Sequence, residues 1–191
     1  MARKKEETGL KFYEISQNNS GGSFITNDKL CHRLFIEANS SSEADSIAED
    51  LGCYWNGVDE DMDCPCCGDR WYGGHEVNLM NMTREKDGTY PVEEWVDRKK
   101  STPEEALEAL RSRYSEFEWV KAPSLGDKYG SPIIEGVVKL NSIEDYAQVM
   151  ADQYGWTYPD ARIFYHDGSV KEIFSYKVEA PKKKGRKIKI E

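Results

Sequence analysis

The densest chemistry in this sequence is Cys64-Pro65-Cys66-Cys67-Gly68. Cys64 and Cys67 are separated by two residues, a spacing that lets one tight turn aim two thiolates at one tetrahedral ion. Pro65 presets φ, and Gly68 frees the backbone to turn N–H groups towards sulfur. This C-P-x-C-G pattern matches the knuckle of zinc ribbons, but a knuckle supplies only two ligands and the chain has no second C-x-x-C. The other two must come from Cys53, Cys66, His75, Cys31 or His32. The leading quartet is Cys53, Cys64, Cys67 and His75, with Cys66 as the alternate. It would fasten the acidic loop to the end of the helix before it. The metal-free alternative is a tight, partly buried turn of free thiols. No H-x-E or H-E-x-x-H pattern supplies a general base, so the zinc expected here is structural.

The residues around the knuckle suggest a binding surface made of Asp59, Glu60, Asp61, Asp63, Arg70 and Trp71. Asp59, Asp61 and Asp63 begin like a calcium loop. The pattern then fails, because Cys64 stands where glycine is required and Arg70 where glutamate is required. Asn18, Asn19, Ser20, Gly21 and Gly22 form a loop whose N–H groups could nest an anion, or simply join two strands. Trp55, Trp71, Tyr72 and Trp95 are either a stacking surface or core. Cys66 as a nucleophile lacks a base placed by the sequence. His166 beside a turn reads as a surface residue, and His32 as structural. Phosphate-binding and nucleophile-elbow motifs are absent.

These groups must be positioned by a modest set of elements. Residues 10–15 and 31–38 read as strands. Ser40 to Ser42 followed by Glu43 caps a helix that Ala44, Ile47, Ala48 and Leu51 continue and Gly52 stops. Cys53-Tyr54-Trp55 reads as a short strand or edge, and residues 56–74 as a long irregular loop. Thr102-Pro103-Glu104-Glu105 opens a second helix. Residues 133–140 read as a strand, and Asn141 to Asp145 open a third helix running to about 154. Residues 161–165 and 169–174 pair around Asp167-Gly168. The fold class is α+β: a small mixed or antiparallel sheet packed by two to three helices, with a cysteine-rich loop stapled by zinc. The expected divisions are a disordered start (1–9), an α+β domain (10–98), an extension (99–176) that packs on it or forms a second lobe, and a basic tail (177–191).

Charge is unevenly spread. Residues 8–176 hold 31 acidic and 16 basic side chains, a net of −15, while residues 177–191 carry +5. The acidic body should be repelled by nucleic acid and drawn to basic protein surfaces. The tail, with Lys182, Lys183, Lys184, Arg186 and Lys187, has the opposite preference, or only aids solubility. No apolar run is long enough to span a membrane, and no secretory signal is recognisable at the start. Five cysteines, three of them crowded, make a poor disulfide framework, which favours a reducing cytosol.

The run Phe12-Tyr13-Glu14-Ile15-Ser16-Gln17-Asn18-Asn19-Ser20-Gly21-Gly22-Ser23-Phe24, together with Asp63-Cys64-Pro65-Cys66-Cys67-Gly68-Asp69-Arg70-Trp71, resembles an uncharacterised family of tailed bacteriophages. The resemblance spans residues 10–75. It implies an accessory protein in the cytoplasm of an infected bacterium, without implying a mechanism. With the charge layout, it gives a first expectation of a non-enzymatic protein that binds a host protein or nucleoprotein complex through its acidic surface. The alternatives are a zinc-stapled nucleic-acid-binding module using the tail, and an enzyme modifying a nucleotide or protein. The oligomeric state is left open.

Overall fold

A computed structural model describes residues 9–81, 86–97, 99–154 and 160–176, so the expectations for the basic tail and the first eight residues lie outside the described residues. The order is β1 (Lys11–Gln17), a 3-10 turn (Ser20–Gly22), β2 (Arg33–Ala38), α1 (Ser41–Leu51), β3 (Trp71–Glu76), β4 (Thr89–Trp95), α2 (Pro103–Arg113), β5 (Glu118–Lys128), β6 (Ser131–Lys139), α3 (Ile143–Tyr154), β7 (Ala161–Phe164) and β8 (Val170–Ile173). A five-stranded sheet runs β3-β1-β2-β7-β8, and a three-stranded sheet runs β4-β6-β5. The class is α+β. All pairings are antiparallel except β2 with β7, so the larger sheet is mixed.

The centre of the larger sheet explains its composition. Successive side chains on a strand point to opposite faces. On β2, Leu34 and Ile36 join a cluster with Ala44 and Ala48 of α1, while Phe35 joins a second cluster with Val149 of α3 and Ile134 and Val138 of β6. A strand covered on both faces is apolar at every position, as Leu34-Phe35-Ile36 is. Thus α1 lies on one face of the sheet, and α3 with the smaller sheet on the other.

The helix ends follow their caps. The Ser40 hydroxyl accepts from the Glu43 N–H at 3.2 Å, and Gly52 closes α1 at φ +113°. Thr102 and Glu105 form a reciprocal capping box on α2, with Pro103 at the helix start. The hairpin between β7 and β8 turns through Gly168 at φ +85°.

Three strands depart from the expected pattern. β3 begins inside the anticipated loop, and β4 and β5 each contain a proline, Pro91 and Pro123. β4 and β5 are the edges of the smaller sheet, where proline is tolerated, and the central strand β6 keeps its proline, Pro132, next to its first residue. Cys53-Tyr54-Trp55, anticipated as a strand, is irregular chain. Sheet membership also interleaves across residues 98/99: β4 joins β5 and β6, and the C-terminal hairpin joins β2.

Candidate functional site

The knuckle is a closed turn. The N–H groups of Cys67 and Gly68 both donate to the Cys64 carbonyl, at 2.9 and 3.0 Å, and Gly68 takes φ +81°. This gathers the sulfurs of Cys64, Cys66 and Cys67 within 4.8 Å of one another. Cys64 Sγ lies 2.7 Å from Cys66 Sγ, which is 3.6 Å from Cys67 Sγ. The hydrogen bond from Cys66 holds Cys64 below the usual thiol range, and the same contact raises Cys66 to about 11. Cys66 and Cys67 are exposed, and Cys64 is half-buried.

The anticipated quartet is not brought together. Cys53 is buried behind α1, and burial pushes its thiol up to about 12, as it does for Cys31. Such thiols resist the deprotonation that metal binding requires. His75 is exposed on β3, in register with Glu14 of β1. The third member is therefore Cys66, the alternate, and Cys53 and His75 stand outside the cluster. Three adjacent thiols share one turn, whereas Cys53 and His75 belong to separately packed segments.

What fixes this turn is a buried ion pair that the sequence reading placed on the surface. Asp63 precedes the knuckle and Arg70 follows it. Asp63 accepts the Arg70 backbone N–H at 2.7 Å and faces its guanidinium at 3.4 Å. The Tyr54 hydroxyl donates to Asp63 at 3.0 Å and accepts from Arg70 Nε at 3.1 Å. The other guanidinium nitrogens donate to the carbonyls of Ser20 and Ser23. The Ser20 hydroxyl in turn accepts the Cys64 N–H at 2.9 Å. A Cβ on Gly57 would fall on the Asp63 carboxylate and 2.7 Å from the Tyr54 ring, so only glycine fits.

The expected binding surface changes as a result. Asp63, Arg70 and Trp71 are buried rather than displayed; only Asp59, Glu60 and Asp61 of that set are exposed. In the loop of Asn18, Asn19, Ser20, Gly21 and Gly22, the Ser20 carbonyl faces the Arg70 guanidinium, and the N–H groups of Asn18 and Gly22 donate to the carbonyls of Arg70 and Asn19 at 2.8 and 2.7 Å. Asn18 Nδ2 also bridges to the Asp69 carbonyl and, at 2.9 Å, to the Tyr72 hydroxyl. A signal for this lock was present in the chain: between Arg33 and Arg70 there is no lysine or arginine. A lone cation ending so acidic a stretch, seven residues after Asp63, points to a partner.

The same stretch forms the acidic surface. Residues 34–69 contain ten acidic side chains and no basic one. Glu49 and Asp50 at the end of α1 and Asp59, Glu60 and Asp61 before the knuckle are exposed. The Trp55 indole donates to Glu49 at 2.5 Å, tying the loop to the helix. A separate cleft lies against Tyr90, Trp95, Tyr114 and Asp152. Its Asp152 carboxylate is already occupied by the Tyr114 hydroxyl at 2.6 Å, the Ser175 hydroxyl at 3.0 Å and the Tyr176 N–H at 2.6 Å.

His32 supplies a pH test of the lock's surroundings. It stacks edge-on with Phe24 at 4.4 Å, and burial, aided by neighbouring Arg33, lowers its pKa to about 4. The folded state favours the neutral ring, while the unfolded chain takes up a proton near pH 6.5. Its stabilising contribution is therefore complete above about 6.5 and is lost as pH falls from there towards 4. Denaturant melts of wild type and His32→Gln between pH 7 and 5 check this; the variant's stability should fall less steeply.

No helix among the described residues is long and apolar enough to cross a membrane. No curated protein and no solved structure matches the chain. Residues 10–110, which hold β1 to β4, the knuckle and most of α2, match a family described as a domain of unknown function (DUF7296), and the chain belongs to that family.

Proposed function

We propose that this is a non-enzymatic accessory protein, of bacteriophage origin, that binds a basic host macromolecule in the cytoplasm of the infected cell. Host takeover and defence evasion are the roles that suit it. The carrying observation is the cation-free surface of residues 34–69. Its exposed acids, among them Glu49, Asp50, Asp59, Glu60 and Asp61, raise the local concentration of basic partners and speed association. All 16 basic side chains of residues 8–176 lie outside this stretch. The knuckle sits in the same stretch and carries zinc on Cys64, Cys66 and Cys67 in this reading; thiolate donors and a tight turn suit that ion.

The test is capture from a nuclease-treated bacterial lysate by wild type and by the Asp59→Lys/Glu60→Lys/Asp61→Lys variant. Wild type should retain a partner at low salt that the variant loses, and high salt should weaken retention. Equal retention by both would refute the acidic surface as the docking site. The second reading, a nucleic-acid-binding module, is favoured only by the +5 charge of residues 177–191. It requires salt-dependent DNA or RNA binding that disappears when those residues are deleted.

A further inference from the structure

We infer that the cysteine trio is an open three-thiolate centre whose fourth ligand is a histidine imidazole supplied by the bound partner; this rests on the zinc reading above. All five cysteines and all three histidines lie among the described residues. Only Cys64, Cys66 and Cys67 converge. Cys31 and Cys53 are buried in the α1 cluster, and His32 is buried against Phe24. His75 is held in register on β3, and His166 sits in the β7–β8 turn with its backbone N–H bonded to Glu37 at 3.0 Å. The carboxylates that flank the knuckle are engaged too. Asp63 serves Arg70 and Tyr54, and Asp69 accepts the Val58 N–H at 2.9 Å.

The trio is prepared rather than closed. Zinc–sulfur bonds of about 2.3 Å at tetrahedral angles separate sulfurs by about 3.8 Å. Cys66 and Cys67, at 3.6 Å, nearly meet that spacing, and Cys64 and Cys66 need only to spread. The Asp63–Arg70 pair and the Ser20 hydroxyl already hold both ends of the turn, so an ion is not required to shape it. Two of the three sulfurs are exposed, which leaves the fourth coordination position facing outward.

Charge selects the donor. Zinc with three thiolates carries a net −1, and it sits within the cation-free stretch. A fourth thiolate or a carboxylate would raise that to −2, and the nearest cation in sequence, Arg70, is already committed to Asp63. A neutral imidazole completes the tetrahedron without adding charge. A basic partner surface would supply both the attraction to the acidic residues and the donor. This couples the two features of the face: long-range charge brings the partner in, and the metal fixes its register.

The experiment is cobalt substitution of the full chain under reducing, thiol-free conditions, with X-ray absorption of the zinc form alongside. Imidazole is the probe, and acetate is the control. The expected result is one ion per chain with three sulfurs and one light atom. Imidazole should shift the ligand-field bands while leaving the sulfur charge-transfer intensity unchanged, and acetate should do neither. His75→Ala should leave the spectrum as it is. A four-sulfur shell, a light donor that imidazole does not displace, or a spectrum altered by His75→Ala would overturn the open site while leaving zinc in place. Failure to bind either ion would overturn the zinc reading and this inference together.

Discussion

Arg70→Ala is expected to destabilise the folded protein by about 3–5 kcal/mol, because breaking a buried ion pair from one side leaves the other charge uncompensated. The Asp63 side chain has no exposed surface, and Arg70 has little. Its guanidinium also satisfies the Ser20 and Ser23 carbonyls and the Tyr54 hydroxyl, none of which an alanine can reach. For a chain of this size each kcal/mol moves Tm by about 2–4 °C, so thermal melts should fall by roughly 6–20 °C. Arg70→Lys should lose less, since it keeps the charge but gives up the planar fork that meets several acceptors at once. A double-mutant cycle with Asp63→Asn should show strong coupling, as groups in one network do not add. Melts of Arg70→Ala within a degree of wild type would mean that the lock does not hold the knuckle.

Cys66→Ser should separate metal from fold. It removes one of three thiolates, and zinc affinity should fall by more than about 100-fold, beyond the roughly 10–100-fold lost when only an outer partner of a ligand is removed. Stability without metal should hardly change, because Cys66 is exposed and the turn is tied by Asp63, Arg70 and Ser20. The difference in Tm between wild type and variant should therefore appear only with zinc present and grow with its concentration, as mass action requires. Competition with a chromophoric chelator and melts with and without zinc make both measurements. Equal zinc affinity in wild type and variant would remove Cys66 from the ligand set.

The contrast shows what could be read from the chain. Helix ends were legible because their signals are local: Ser40 and Gly52 for α1, Thr102-Pro103 and Glu105 for α2. The apolar strand Leu34-Phe35-Ile36 was visible as a strand, but not as the one buried on both faces. β4 and β5 were not legible because Pro91 and Pro123 argue against strands until their edge positions are known. At the site, the turn of Cys64 to Gly68 follows from short-range spacing. The lock does not, because Arg70 meets Ser20 across fifty residues and only the β1–β3 pairing brings them together. The sequence alone makes Cys53 and His75 reasonable ligands. Burial beside α1 and register on β3 take them away.

That Asp63, Arg70 and Trp71 turn inward also redefines the acidic surface. The exposed charge moves to the end of α1 and the three acids before the knuckle. This surface and the cysteine trio then belong to one segment, inside the portion of the chain that matches its family. Both lie within residues 10–110 and outside the C-terminal tail.

The most direct test of a docking role for residues 34–69 is zero-length carboxyl-to-amine crosslinking of the full chain in nuclease-treated bacterial lysate, read by mass spectrometry. The expected crosslinks join Glu49, Asp50, Asp59, Glu60 and Asp61 to lysines of one partner, and disappear at high salt. Crosslinks confined to the acids of α2, or attachment only through lysines of residues 177–191, would contradict it.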